Sequence, residues 1–146
     1  MSDSIIHTKK PAGFEMDISV TGCFVEHGGK LLYLHRQPEK SQGDMWGLPA
    51  GKQENEELDA TMIREIREET GIQLKAEDLE YLNMVYATYP EFNVVFHMYR
   101  AIVNEEPQVT LSHEEHQDYD WYTPEEATKI QLMDDMLECM QMHYTC

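Results

Sequence analysis

The sequence predicts a single α/β domain, a mixed sheet between layers of helix, and three features carry that expectation. Two apolar, β-branched runs flank a Gly-Gly pair early in the chain. One strongly patterned helix follows and is closed by a glycine. Two more strand-like runs come next, and only then the remaining short helices. At 146 residues the chain fits one domain with a core of its own.

Taken in order, residues 1–14, with Lys9, Lys10, Pro11 and Gly13, read as a loose leader before a domain spanning 15–146. Residues 17–26 are β-branched and apolar, and the pattern resumes over 31–35 after His27-Gly28-Gly29-Lys30, which predicts a hairpin. Residues 37–50 contain Pro38, Gly43 and Pro49 and read as a loop. A helix is expected from Asn55, a favourable cap residue. Glu56 and Glu57 then fall in the first turn, where the helix dipole suits acid, and Gly71 provides the left-handed residue that ends the helix. Strands are expected over 79–89 and 93–103, a polar loop over 104–118 and a short strand over 119–122. Thr123-Pro124-Glu125-Glu126 opens a helix, with Thr123 as cap and Pro124 at the first position. An amphipathic helix is expected over 133–143.

The net charge of −17 excludes more than it proves. So acidic a surface repels phosphate backbones, so no nucleic-acid polymer and no anionic membrane is expected as a partner. The hydrophobic share of 41% is well above that of disordered acidic tails. No run of about 18 apolar residues predicts a membrane span, and the first residues lack a signal-peptide pattern. Cys23, Cys139 and Cys146 are odd in number and show no ligand spacing, as expected of free thiols in a reducing cytoplasm.

The chemistry concentrates in residues 64–72. At about 100° per residue, Glu65, Glu68 and Glu69 share one side of the helix, beside an arc of Met62, Ile63 and Ile66. Carboxylates at such spacing repel one another, whereas a hard divalent cation turns them into oxygen ligands. A solvated acidic face is the plain alternative on spacing alone.

Arg64, Glu65, Ile66, Glu68, Glu69, Gly71 and Ile72 follow Trp46 and Leu-Pro-Ala-Gly-Lys at 48–52. In these residues the chain closely resembles the Nudix hydrolases, whose box reads G-x5-E-x7-R-E-U-x-E-E-x-G-U, with U aliphatic. The second half matches at every specified position. The first half is one residue short: counting back from Arg64 reaches Glu56, and counting forward from Gly51 reaches Glu57. The helical half must keep its phase, which favours Glu56. With the flanking strand before the box and the Trp121 region after it, the resemblance covers residues 17–130.

The resemblance implies a Nudix-like α/β/α sandwich and hydrolysis of a nucleoside diphosphate linked to another group X. The partner would be a small-molecule nucleoside diphosphate derivative, with Mg²⁺ as cofactor and Mn²⁺ as substitute. Gly51 through its carbonyl, Glu65, Glu68 and Glu69 would hold the metal, and Arg64 would orient a catalytic glutamate. Glu68 and Glu115 are the candidate catalytic carboxylates, Glu115 because Glu-His-x-x-Tyr-x-Trp resembles a loop that supplies an extra glutamate in the family. His116 beside it is a candidate base or leaving-group contact. The Leu-His-Arg-Gln-Pro strand end and the short chain favour nucleoside triphosphates or nucleotide sugars. A silent nucleotide sensor and an isoprenoid-diphosphate isomerase are the alternatives, the latter needing Cys23 at the site. A homodimer is left open.

Each candidate also has a bland reading. Arg64 and Glu68 form an ordinary i,i+4 pair, Gly51 is a turn residue and Glu115 a solvated loop carboxylate. Trp46 and Tyr89 are candidate substrate contacts through stacking on a base, and both are also ordinary packing aromatics. Arg36 ends a strand where it could meet a phosphate. His113 and His116 flank two glutamates without the helical spacing that would fix a zinc site.

Overall fold

The apolar runs at 18–36 alternate so that both faces of the sheet are buried. In the computed structural model, which describes residues 5–145, β2 (Ile18–His27) sends Cys23 and Val25 to one face and Phe24 to the other. β3 (Lys30–Arg36) does the same with Leu32 and Leu34 against Leu31 and Tyr33. A strand covered on two sides needs a layer on each, which is the α/β/α arrangement.

The sheet is mixed. Its main order is β1 (Ile5–His7), β6 (Glu80–Thr88), β7 (Asn93–Ile102), β2, β3 and β4 (Trp46–Gly47), with β5 (Ala50–Lys52) on β2 and β8 (His116–Tyr122) on β3. β2 and β7 run parallel and the other pairs antiparallel. The expected hairpin exists only at its tip, where Glu26 pairs Leu31 and His27 pairs Lys30. Beyond it the strands splay, and β2 takes β5 while β3 takes β4 and β8. That splay opens the sheet where the Leu-Pro-Ala-Gly-Lys segment enters.

α1 (Leu58–Thr70) covers one face, with Met62 and Ile66 packed on Cys23, Val25, Leu32, Leu34, Tyr99 and Ala101. On the other face α2 (Pro124–Ala127) and α3 (Met136–Gln141) bring Ala127, Met136, Cys139 and Met140 onto Phe24, Leu31, Tyr33 and Met98. Gly71 ends α1 at φ 76°, donating its N–H to the Arg67 carbonyl. Thr123 caps α2 through a reciprocal capping box with Glu126.

Several expectations need correction. α1 starts at Leu58, with Glu57 as its cap residue, so neither Asn55 as cap nor Glu56 and Glu57 as first-turn residues holds. The supposed loose leader contains β1, whose Ile5, Ile6 and His7 pair with Thr88, Ala87 and Tyr86. The loop at 37–50 holds β4 and the start of β5. β8 begins at His116, inside the expected polar loop, and the last helix is shorter than 133–143. Short strands of two or three residues carry too little periodicity to be read from sequence. Cys146 lies outside the described residues.

Candidate active site

The stripe that packs α1 on the sheet also carries a carboxylate inward. Met62, Ile66 and Glu69 recur at helical spacing and all three are buried, Glu69 at 5% exposure. Its Oε1 accepts the Ala50 N–H at 2.9 Å. Among the described residues it has no ion pair. Burial therefore pushes its carboxyl well above the usual range, with Glu115 and Glu65 adding repulsion. A buried carboxylate without a cation is costly, and one hydrogen bond offsets only part of that cost.

Gly51 lies on the neighbouring strand, facing Glu65. A Cβ at Gly51 would overlap the Glu65 carboxyl group. Glycine is required here by close approach, because only a bare backbone lets carbonyl and carboxylate share the space. The Gly51 carbonyl accepts the Thr21 hydroxyl at 3.5 Å. Glu65 is half-buried, and burial raises its carboxyl while Arg64 opposes the rise.

Arg64 ties the two halves of the box together. Its guanidinium donates to Glu56 at 2.6 and 3.1 Å, to Glu65 at 2.8 Å and to the Lys52 carbonyl at 3.4 Å. The fork on Glu56 holds that carboxyl below the usual range. Glu57 instead uses its carbonyl to accept the N–H and hydroxyl of Thr61. Glu56, the residue reached by counting back from Arg64, and not Glu57, is thus the partner of Arg64. Glu68 stands at the open edge, 53% exposed and 3.4 Å from Arg64.

Glu115 arrives from the far side. The Thr110 N–H donates to the last carbonyl of α1, that of Thr70, at 2.8 Å. Val109 and Leu111 pack against the α1 core. Gln37 then fixes the end of the loop, its N–H on the Glu115 carbonyl at 2.9 Å and its amide on the His113 carbonyl at 2.8 Å. The result places one ligand atom each of Glu69, Glu115 and His116 within 4.8 Å of one another. Glu114 is exposed. His116 is buried, its Nδ1 has no hydrogen-bond partner among the described residues, and burial lowers its pKa to about 4.

Glu65 against the Gly51 backbone, and Glu69 grouped with Glu115 and His116, form a largely oxygen donor set suited to a hard divalent cation. The substrate-contact candidates have protein partners of their own. Arg36 is turned onto the next loop, donating to the Ser41 carbonyl at 2.8 Å. Trp46 stacks on His35 at 4.4 Å and meets the edge of Tyr122. Tyr89 stacks on Phe92 in the β6–β7 turn, at 4.9 Å. Cys23 is fully buried in the α1-side core with its thiol pushed up, which removes it as an isomerase nucleophile.

The sequence model of the NUDIX domain matches residues 16–141. The chain belongs to the Nudix family. It is 29% identical over 119 residues to the CTP pyrophosphohydrolase of Escherichia coli strain K12, covering 79% of this chain and 82% of that one. The NUDIX domain of Shewanella oneidensis NrtR, solved with ADP ribose, superposes with a TM-score of 0.74 at 19% identity, over 91% of this chain and 90% of that one. A MutT NUDIX hydrolase of Burkholderia pseudomallei superposes with a TM-score of 0.74 at 23% identity, over 87% and 98%. The protein is a Nudix hydrolase. Among the described residues no helix is long and apolar enough to cross a membrane.

Of the residues nominated from sequence, the structure brings Glu69, Glu115 and His116 together and sets Glu65 and Arg64 beside one another, His116 having been given only a base or leaving-group role. What the sequence could not supply is the burial and the unpartnered nitrogen of His116, because both depend on how β8 meets β3.

Proposed function

We propose that the protein is a divalent-cation-dependent hydrolase of the diphosphate linkage in nucleoside diphosphate derivatives, with nucleoside triphosphates the leading substrates and nucleotide sugars next. The observation that carries this is Glu69, a buried carboxylate with no ion pair among the described residues, held by the Ala50 N–H and grouped with Glu115 and His116. Gly51, Glu65 and Glu69 would hold Mg²⁺ or Mn²⁺, with Glu68 at the open edge. When bound, such an ion offsets charge on the diphosphate and makes water a competent nucleophile near neutral pH. Arg64 holds Glu56 and Glu65 in place. Glu115, on a loop anchored at both ends, takes the proton of the attacking water as the P–O bond of the diphosphate bridge breaks. The likeness to a CTP pyrophosphohydrolase supports the triphosphate preference.

The test is a panel of nucleoside triphosphates, nucleotide sugars, ADP-ribose and dinucleoside polyphosphates, with Mg²⁺ and then Mn²⁺, scored by phosphate, pyrophosphate and monophosphate release. Triphosphates should give monophosphate and pyrophosphate fastest, and chelation should abolish the release. Tight nucleotide binding with no turnover of any compound would make the protein a sensor instead.

A further inference from the structure

His116 sits beside the carboxylates but contributes to no hydrogen bond with its Nδ1. The residue is 3% exposed. A buried imidazole nitrogen with nothing to bind leaves a polar group unsatisfied, at a cost that native interiors rarely carry. Its ring lies where one nitrogen falls within 4.8 Å of an oxygen of Glu69 and an oxygen of Glu115, and those two oxygens are equally close to each other. Three donor atoms at such mutual distances can surround one small cation.

The backbone makes this placement reproducible. The Ser112 carbonyl accepts the N–H groups of both Glu115 and His116, at 3.1 and 3.0 Å, and so holds the two residues in one tight turn. His116 then pairs with Arg36 across a register shift between β3 and β8. That irregularity re-aims a side chain at the start of a strand.

From this geometry we propose that His116 is a nitrogen ligand of a cation held by Glu69 and Glu115, so that the site selects Mn²⁺ or Co²⁺ over Mg²⁺. The inference rests on the metal-dependent function proposed above and deepens it. Mg²⁺ demands oxygen ligands in near-ideal octahedral array and keeps its waters. An imidazole donor suits later first-row ions, whose affinity for nitrogen rises from Mn²⁺ to Co²⁺. Glu69 is then shared between the helix carboxylates and the β8 pair, and Glu115 would offer one oxygen to the ion and keep the other for the proton of the water. The helix end of the site is all oxygen, and the β8 end is mixed.

Pulsed electron paramagnetic resonance of Mn²⁺ on the full chain tests the ligand without relying on turnover. The parent protein should show ¹⁴N coupling to bound Mn²⁺, and His116→Gln should lose it while still binding the ion. By calorimetry, His116→Gln should weaken Co²⁺ and Mn²⁺ by about tenfold or more, the scale seen when ligand environments of metals are altered, and Mg²⁺ by far less. Mn²⁺ bound to the parent without ¹⁴N coupling overturns the nitrogen ligand and leaves metal-dependent hydrolysis standing. Coupling that persists in His116→Gln, or an equal loss for all three ions, overturns it as well. No Mn²⁺ binding at all would overturn both this assignment and the function it rests on. Because the parent measurement decides alone, a variant that misfolds does not rescue the idea.

Discussion

On α1, Glu65 and Glu69 are fixed to each other by helical geometry and to the sheet by the Met62 and Ile66 packing between and beside them. On the β8 side, Glu115 and His116 reach the same point only because a long connection is pinned at Thr110, Gln37 and Ser112 by backbone hydrogen bonds. The first arrangement is local and rigid, and its spacing is written in consecutive residues. The second is assembled at a distance from parts that share no sequence pattern. The difference suggests a division of labour: the oxygen ligands whose positions must not drift stand on the helix, while the group that handles the proton and the nitrogen donor proposed above arrive on a separate connection.

Substituting the rigid side should have the largest effect. Glu69→Gln keeps the shape and the acceptor for Ala50 but removes the charge, and kcat/KM should fall by about 10²-fold or more, because several kcal/mol of charge stabilisation are involved. Thermal stability of the chelated variant should equal or exceed that of the parent, since a desolvated charge is gone. The pH dependence follows with a definite sign. Burial raises the Glu69 carboxyl, so the folded state keeps that proton where the unfolded chain has lost it. In metal-free protein this group therefore favours folding at low pH, and its contribution is lost as pH rises from the ordinary carboxylate range through the raised value. Denaturation of parent and variant in chelator from about pH 5 to 8 should show the variant gaining on the parent as pH rises. Parallel profiles with full activity would remove Glu69 from the site.

The distant side comes next. Glu115→Gln should lower kcat by about 10²-fold, the range of a positioned base. KM should move much less, because the interaction is made in the transition state. Glu114→Gln is the matched control, exposed and one residue away, and should behave like the parent. Parental kcat in both variants across the pH range would make the loop a connector and shift the base to α1.

Arg64 joins the helix to the segment before it, so its replacement tests whether the rigid side extends beyond α1. Lysine keeps the charge but cannot donate to Glu56 and Glu65 at once in a fixed fork. Arg64→Lys should reduce kcat about tenfold, in line with the loss of one or two hydrogen bonds to charged groups, with Mn²⁺ affinity lowered by calorimetry. An unchanged enzyme would reduce Arg64 to a surface ion pair.

The same contrast governs what could be read from the sequence. The helix, its Gly71 end and the direction of Glu65 and Glu69 follow from a period of 3.6 and a residue free to adopt positive φ. The choice of Glu56 over Glu57 as the early box glutamate rested on counting back from Arg64, whereas its ion pair with Arg64 was not legible, because Glu56 lies before the helix that starts at Leu58. Splaying of the first hairpin was not legible, because nothing local in 17–35 says that β5 and β8 will take the partners each strand leaves free. The contacts of Trp46 and Arg36 within the protein were not legible for a similar reason. An aromatic or an arginine near a site offers its chemistry to whatever is nearest, and here that is His35 and Ser41.

The smallest effect should come from the tether between α1 and the sheet. Tyr99 is 1% exposed, and its hydroxyl donates to Asp59 at 2.7 Å, in the first turn of α1. Burial raises its phenol, and the bond to Asp59 raises it further, so it stays a donor throughout the working pH range. Tyr99→Phe removes one hydrogen bond to a carboxylate and keeps the ring against Tyr81 and the α1-side core. Stability should drop by about 0.5–1.5 kcal/mol, or up to about 3 if the bond counts as fully charge-assisted, measured by urea unfolding. Turnover should stay within about twofold, because Leu58, Met62 and Ile66 still seat the helix through apolar burial worth more than one hydrogen bond. A tenfold loss of kcat at parental stability would show that the register of α1, and with it Glu65 and Glu69, hangs on this tether, and the rigid side of the comparison would then be held by a single bond.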